Sequence, residues 1–198
     1  MMHWRLCSKI RFSRTFFWFL AVLLMYIPVR WLLAAFVSAY IHELFHIAAI
    51  RLCGKEIFDI EIGVLGAQIY MEPMGGWREF MCLAAGPVGS LLLGYFFRWV
   101  PAIAFLGCIQ GVFNLLPILP LDGGRMLACI LHGCVDRKME QILMILAEIL
   151  VYLLFTFLFV VFSFVMKMGI WPSFVILILM IHKIAGKIPC KLSQLGVQ

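Results

Sequence analysis

Residues 39–48 read Ala39-Tyr40-Ile41-His42-Glu43-Leu44-Phe45-His46-Ile47-Ala48, which sets three ionisable side chains inside an otherwise apolar run. Four residues apart on a helix, His42 and His46 lie one turn above each other, so both imidazoles can bind one metal ion from the same face. Glu43 lies beside that face, where it can act as a general base toward water at the metal without being a ligand. The alternative interpretation is that His42 and His46 are two core histidines that happen to fit a short pattern. In a membrane helix, however, a charged residue at the bilayer centre costs about 2.5 to 3.5 kcal/mol, so the cluster indicates a functional site.

The composition is typical of an integral membrane protein. Of the 198 residues, 65% are hydrophobic and 13% are charged, whereas a soluble domain carries about 25% charged residues. Charges interrupt the apolar runs at intervals suited to helices of about 20 residues, and six such spans would use most of the chain. The sequence therefore predicts a single polytopic membrane domain over residues 1–198, without room for a second soluble domain.

The predicted fold is an all-α membrane protein with six transmembrane helices and a short membrane-associated β-hairpin between helices 2 and 3. The six predicted spans are Thr15–Ile27, Trp31–Ile50, Phe80–Phe97, Pro101–Leu119, Glu140–Met166 and Ile170–Ile184. The first is interpreted as a retained span, since no small-residue cleavage site follows it. Pro87 is expected to bend or break the third span, and a polar hinge from His132 to Lys138 is expected before the fifth.

The segment between spans two and three has a strand pattern. Apolar residues alternate with polar or small ones from Phe58 to Val64, and Gln68–Met71 can return after Gly66 as a hairpin partner. Exposed backbone cannot remain unsatisfied in lipid, so the hairpin is expected at the membrane face or packed against the protein.

The distribution of basic residues predicts the orientation in the membrane. Among the 16 lysines and arginines, those on the less basic side of the six-span layout are Arg30, Arg98 and Lys167. The positive-inside rule therefore predicts that both termini are cytosolic and that His46 and Asp122 lie toward the cytosolic side. The net charge of +6 does not indicate nucleic-acid binding, because the basic residues are scattered among short loops.

The seven cysteines do not indicate a disulfide framework. They are odd in number, lack a Cys-x-x-Cys spacing and fall mostly inside or beside apolar spans. They are therefore interpreted as small packing residues in a reducing setting.

A catalytic zinc site usually has three protein ligands and a water, so two histidines leave it one ligand short. Asp122 is the preferred third ligand, because the topology brings the end of span four to the level of His46 and because a lone carboxylate in an apolar stretch needs a partner. Pro117 and Pro120 should end the regular helix, which would put Asp122 on non-helical or restarted backbone. A turn former is the alternative role for Asp122. The alternative ligands are the carboxylates after span two, Glu56, Glu61, Glu72 and Glu79.

Two motifs resemble the signatures of the site-2 protease family, which are intramembrane zinc metalloproteases. One is His42-Glu43-Leu44-Phe45-His46, and the longer and more specific one is Asn114-Leu115-Leu116-Pro117-Ile118-Leu119-Pro120-Leu121-Asp122-Gly123-Gly124. Ala85-Gly86-Pro87 also resembles a family feature, although Val88, Gly89 and Ser90 stand where the family often has an asparagine. The similarity covers about residues 31–125, the expected catalytic core. The chain looks most like the compact six-span branch that includes the sporulation protease activating a sigma-factor precursor, but without its CBS domain pair.

The resemblance implies roles for the motif residues. His42, His46 and Asp122 would hold one zinc ion. Glu43 would be the general base and later the proton donor to the leaving amine. Asn114 would hold substrate backbone or help to stabilise the oxyanion, with an interhelical hydrogen bond as the alternative.

The resemblance also implies a substrate and a location. The activity would be hydrolysis of a peptide bond in or near a transmembrane segment of a membrane-associated protein, such as a sigma-factor or other transcription-factor precursor. The enzyme would act in a bacterial cell membrane, under the control of regulatory membrane proteins. The oligomeric state is left open.

A peptide bond locked in a helix cannot enter the site, so the substrate must become extended. The hairpin of residues Phe58–Met71 can pair with unwound substrate as an added strand, and proline at Ile60 or Ile62 should then reduce cleavage. A second class of function is a transporter or sensor that binds zinc without hydrolysis. Glu43 separates the two classes, because only a hydrolase needs a base beside its metal ligands.

Overall fold

The computed structural model describes residues 10–63 and 66–165, and the predicted sixth span, Ile170–Ile184, lies outside them. The described ranges contain helices and one three-stranded sheet, in the order β1 (Ile10–Phe12), α1 (Arg14–Tyr26), α2 (Val29–Leu52), β2 (Ile57–Gly63), β3 (Gly66–Met71), α3 (Trp77–Phe96), α4 (Pro101–Asn114), α5 (Asp122–Cys134) and α6 (Arg137–Val165). Within this part of the chain, the prediction of a helical fold with a hairpin between the second and third helices is confirmed, while the six membrane spans stay a prediction.

Within residues 10–63 and 66–165, three helices are long and apolar enough to cross a membrane, by length and composition. They are α2, α3 and the part of α6 from Arg137 to Ser163. The helices α1 and α4 are apolar but shorter. With 14 residues, α4 is about 21 Å long, which is less than the hydrocarbon thickness of about 30 Å.

Helix α2 carries the histidine motif on its buried face. Its buried residues include a stripe at intervals of four, formed by Ala34, Ser38, His42, His46 and Ile50. The helix ends at Leu52, where the Cys53 N–H donates to the Ala49 carbonyl (3.0 Å) and Gly54 turns the chain with a φ of 74°. His46 therefore lies about 9 Å from the C-terminal end of a 24-residue helix.

The hairpin belongs to a sheet with one more strand than predicted. Strand β2 is central, with β1 parallel on one side and β3 antiparallel on the other, so that Ile60 pairs with both Ile10 and Ile69. The Ser13 N–H donates to the Ile62 carbonyl (2.9 Å), and Arg11 forms an ion pair with Asp59. A three-residue strand held by such distant contacts has no period of its own from which it could be predicted.

The sheet packs against the helix ends that hold the site. Ile57 and Ile60 of β2 form one buried cluster with Ile50 of α2 and Cys82 of α3. The other residues that pack against this cluster are also mostly apolar and include Ile69 and Met71 of β3. Burial of this apolar surface fixes the hairpin beside the C-terminal third of α2.

Close contact between α3 and α4 depends on small residues. A Cβ atom added to Gly107 would lie 2.9 Å from the Ser90 carbonyl oxygen and 3.1 Å from the Gly94 nitrogen. Pro87 is fully buried inside α3, and a Cβ at Gly111 would lie 3.1 Å from its carbonyl oxygen. The helix continues through Pro87, so of the bend or break expected there the break does not occur. Packing against a neighbouring helix makes proline tolerable at this position.

The region after α4 differs from the prediction. Span four was expected to reach Leu119, but α4 ends at Asn114, and residues 122–134 form the 13-residue helix α5. The expected polar hinge from His132 to Lys138 is therefore wrong over most of its length, since α6 already begins at Arg137. Gly123 and Gly124 conceal the start of α5 in the sequence, because glycine has a low helix propensity.

We expect Gly107→Ala to destabilise the protein by about 1–3 kcal/mol, because the added methyl group would press on the backbone of α3. The midpoint of thermal unfolding in detergent or nanodiscs measures the effect. Gly133→Ala is the matched control, since a Cβ there meets nothing within 4 Å. Equal midpoints for the two variants would contradict the close helix contact.

Candidate metal centre

The histidines of α2 and the first residue of α5 bring three ligand atoms together. His42 Nε2 lies 3.1 Å from Asp122 Oδ2, and His46 Nε2 lies 3.2 Å from the same oxygen. The two Nε2 atoms are themselves 3.2 Å apart. His42 and His46 lie 80 and 76 positions before Asp122 in the chain. The three side chains nevertheless form a nearly equilateral triangle of donor atoms.

The size of this triangle fits a zinc ion. Zinc binds histidine nitrogen and carboxylate oxygen at about 2.0–2.1 Å in tetrahedral geometry, which separates neighbouring ligand atoms by about 3.3 Å. The observed separations of 3.1–3.2 Å are close to that edge length. Within the described residues, His42, His46 and Asp122 are the group of acidic, histidine or cysteine side chains that is placed to hold a metal ion.

The second nitrogen of each imidazole has its own partner. His46 Nδ1 lies 2.8 Å from the carbonyl oxygen of Cys82, which can only accept, so the Nδ1 must carry the hydrogen. His42 Nδ1 lies 2.9 Å from Ser90 Oγ, a hydroxyl that is able to accept. Such partners fix the ring orientation and leave Nε2 free to bind a metal.

These hydrogen bonds leave a place for a proton or a metal ion between the three ligand atoms. A neutral His46 that donates through Nδ1 presents a lone pair at Nε2, and this lone pair faces a carboxylate oxygen at 3.2 Å. Both imidazoles are buried, and the Asp122 side chain is 13% exposed. Facing lone pairs in such surroundings repel each other unless a proton or a metal ion lies between them.

Glycines allow the elements of the site to approach each other. A Cβ atom at Gly86 of α3 would overlap the imidazole of His46, including its Nε2. A Cβ at Gly123 would overlap the Leu115 carbonyl group, and one at Gly124 would lie 2.5 Å from that of Ile118. The two glycines after Asp122 therefore let the start of α5 pack on the turn that follows α4, which sets Asp122 against the histidines.

Glu43 of α2 points toward the hairpin. Its Oε1 accepts a hydrogen bond of 3.2 Å from the backbone N–H of Ala67, the second residue of β3. A Cβ at Gly66 would lie 3.4 Å from the same oxygen. The carboxylate is thus held between the helix with the two histidines and the end of a strand, and it is not part of the donor triangle.

Two polar residues of α4 make hydrogen bonds of different kinds. The Asn114 side chain donates to the backbone carbonyl of Gln110 in its own helix (3.1 Å). The interhelical hydrogen bond suggested for Asn114 is made instead by Gln110, whose Oε1 accepts from Ser38 Oγ at 2.6 Å. Ser38 lies one turn before His42 on the buried face of α2, so this contact ties α4 to the helix of the site.

Sequence reasoning missed the residues that support the site. The supporting role of Ser90 could have been inferred from the sequence. Ser90 is a hydroxyl residue in an apolar helix, and it lies four positions after Gly86, on the same face. The Cys82 carbonyl and the Ala67 N–H are backbone groups, so the sequence carries no signal for them. The alternative ligands Glu56, Glu61, Glu72 and Glu79 are absent from the described donor group, which contains the preferred Asp122.

Comparison with known proteins gives matches of three kinds. The model of the family described as Peptidase family M50 matches residues 98–161, which include the segment from Asn114 to Asp122. A zinc metalloprotease of Methanocaldococcus jannaschii is 30% identical over 110 residues, which cover 48% of this chain and 32% of the relative. A Synechocystis protein named provisionally as a zinc metalloprotease is 32% identical over 127 residues, or 56% of this chain and 34% of the relative.

The chain spans about a third of the length of these two relatives. A solved structure of a site-2 protease from Methanocaldococcus jannaschii matches with a TM-score of 0.59 and 24% identity, and the match covers 85% of each chain. That likeness shows the same fold. Together the matches confirm the resemblance to the site-2 proteases that the two motifs indicated.

We expect Ser90→Ala to weaken zinc binding about 10- to 100-fold, because His42 would lose the partner that orients its ring. Titration with a competing chelator measures the affinity in purified protein. Ser13→Ala is the control, since that side chain contacts Thr15 on the exposed surface before α1. An unchanged affinity in Ser90→Ala would show that the hydroxyl has no part in holding the metal.

Proposed function

We propose that this chain, which has the fold of the site-2 proteases and matches the model of peptidase family M50 in part, is an intramembrane zinc metalloprotease. It would hydrolyse a peptide bond in or near a transmembrane or membrane-associated segment of a protein substrate. The observation that carries the proposal is the triangle of His42, His46 and Asp122 with Glu43 beside it, on a helix apolar enough to span a membrane.

In this proposal His42, His46 and Asp122 would hold one zinc ion, and Glu43 stays outside the ligand set. Zinc in such a site supplies a Lewis acid that polarises the scissile carbonyl and lowers the pKa of water from 15.7 to about 7. Three ligands of this kind match the donor set of catalytic zinc sites, whereas structural sites use four protein ligands.

Glu43 is the proposed general base. Its carboxylate lies next in sequence to His42 and outside the donor triangle, so it is free to take a proton from the attacking water. The same carboxylic acid then donates that proton to the amine that leaves. A zinc transporter or sensor has no need of a carboxylate in this position, which favours hydrolysis over the alternative function.

Asn114 is proposed to contact the substrate. Its side-chain N–H group donates to Gln110 within α4, and its side-chain oxygen remains available to hydrogen-bond an extended substrate backbone. A side chain tied to its own helix at one end is held in a fixed orientation, which suits a group that positions a substrate.

We propose that the extended substrate adds to the free edge of β3. Within the described residues, β2 pairs with β1 and β3 on its two sides, while β3 pairs with β2 alone. Proline at Ile60 or Ile62 would therefore disrupt the central strand of the sheet, which does not itself offer an edge to the substrate. Substrate pairing is better tested by a substitution on β3. Strand addition to such an edge is a recurrent mode of peptide recognition.

The membrane arrangement is proposed as six spans with both termini in the cytosol. His46 lies about 9 Å from the end of α2 that carries the sheet, which supports a site near one membrane face with a short path for water. The excess of basic residues on that side makes it the cytosolic face. We propose a single domain with its catalytic core at residues 31–125, acting on a precursor such as that of a transcription factor in a bacterial membrane.

Glu43→Gln protein should retain zinc, and its rate of cleavage should fall about 10²- to 10⁴-fold, because the amide cannot take a proton from water. Metal analysis and cleavage of a fluorescent transmembrane substrate by purified protein measure the two properties. Glu61→Gln, on β2, is the matched control for loss of a carboxylate. If Glu43→Gln protein kept both its zinc and full cleavage, the role of base would be removed and a zinc transporter or sensor would be favoured.

Ile69→Pro should reduce cleavage without loss of zinc, because proline removes an N–H group from the edge of β3 that would pair with substrate. Ile69→Val is the control, since it keeps the N–H group and most of the side chain. Cleavage of the same fluorescent substrate and metal content are measured for both. Equal cleavage by the two variants would count against strand addition at β3.

A further inference from the structure

One hydrogen bond joins the hairpin to the proposed base. The backbone N–H of Ala67 donates to Glu43 Oε1 over 3.2 Å, between residues 24 positions apart. Hydrogen bonds to an ionised carboxylate are about twice as strong as neutral ones. Gly66, which precedes Ala67, has a φ of 113° and lies against the same oxygen, so a side chain there would be strained.

The direction of this N–H group identifies the edge of β3 on which Glu43 lies. Backbone groups two residues apart on a strand point to the same side. Glu72, just after β3, donates its N–H to the Glu56 carbonyl on the β2 side (3.2 Å), which places the even-numbered residues toward β2. The N–H groups of Ala67, Ile69 and Met71 therefore point to the free edge, and the Glu43 carboxylate occupies the first of these positions.

We propose that the backbone N–H of Ala67 is a positioning group for the Glu43 carboxylate, so that the strand that receives the substrate also orients the base. This inference rests on the proposed function, which makes Glu43 the base. A glutamate has several rotatable bonds, and a donor fixed in a sheet restricts them to one orientation. The edge groups left for the substrate are then those of Ile69 and Met71, so the added strand ends beside Glu43.

The hydrogen bond itself is tested without any cleavage assay. Protein labelled with ¹⁵N-alanine in nanodiscs gives an amide signal for Ala67, identified by its absence from Ala67→Gly protein. Glu43→Ala should move this signal upfield in the proton dimension, because the amide loses a charged acceptor. Glu61→Ala, which removes a carboxylate from the face of the sheet, should leave the signal in place.

The positioning role is tested by replacing single backbone N–H groups with ester oxygens. An ester at Ala67 should lower kcat about 10- to 100-fold, as misplaced catalytic groups do, while KM and zinc content stay unchanged. An ester at Ile69 should raise KM and leave kcat unchanged, since that N–H group faces the substrate alone. A merely structural role of Ala67 would not separate kcat from KM in this way.

Each result decides one part of the inference. An Ala67 signal that does not respond to Glu43→Ala would overturn it, and so would an Ala67 ester with normal kcat or with the same change in KM as the Ile69 ester. If wild-type protein cleaved no more than Glu43→Gln, the proposed function would fail, and with it the role of base. The alanine signal would still show whether the hydrogen bond exists.

Discussion

The structure depends on the close approach of three buried or largely buried ligand atoms, between which a proton or a metal ion can lie. Two imidazole nitrogens and a carboxylate oxygen lie 3.1–3.2 Å apart, and the Cys82 carbonyl, which accepts from the Nδ1–H of His46, directs the Nε2 of that ring toward the other two atoms. Buried groups of this kind are stable when a cation neutralises them, and costly when none does. Metal binding at this point would therefore stabilise the packing of α2, α3 and α5.

Several glycines allow the helices of the site to approach each other, because glycine has no side chain. Gly86 leaves space for the His46 ring, and the glycines after Asp122 let α5 begin against the turn that follows α4. The same principle brings α3 and α4 together at Gly107 and Gly111. Small residues of this kind are how membrane helices approach closely, because lipid gives little hydrophobic drive for helix association.

The sequence contained enough information for the helices α1, α2, α3 and α6, for the hairpin and for the grouping of three site residues. The spacing of His42 and His46 predicts a shared helix face, and the need of Asp122 for a partner predicts its proximity to them. The first argument uses a strong local pattern, and the second uses the large free-energy cost of desolvating a carboxylate. The structure places these three side chains together, while their roles as ligands stay a prediction.

The parts that sequence reasoning missed depend on distant or backbone contacts. Strand β1 has three residues and is defined by its pairing with β2. Helix α5 has two glycines directly after its first residue, and helix propensity alone assigns them to a turn. The Ala67 N–H contacts Glu43 because the sheet packs on the end of α2, and a backbone group shows nothing of this in the sequence.

The central claim is that two histidines and one aspartate bind a single zinc ion. X-ray absorption at the zinc edge of purified wild-type protein tests it most directly, since the chain also offers seven cysteines. The account predicts one zinc per chain, with nitrogen and oxygen neighbours at about 2.0–2.1 Å and no sulfur. Sulfur neighbours at about 2.3 Å, or a protein that binds no zinc, would contradict it.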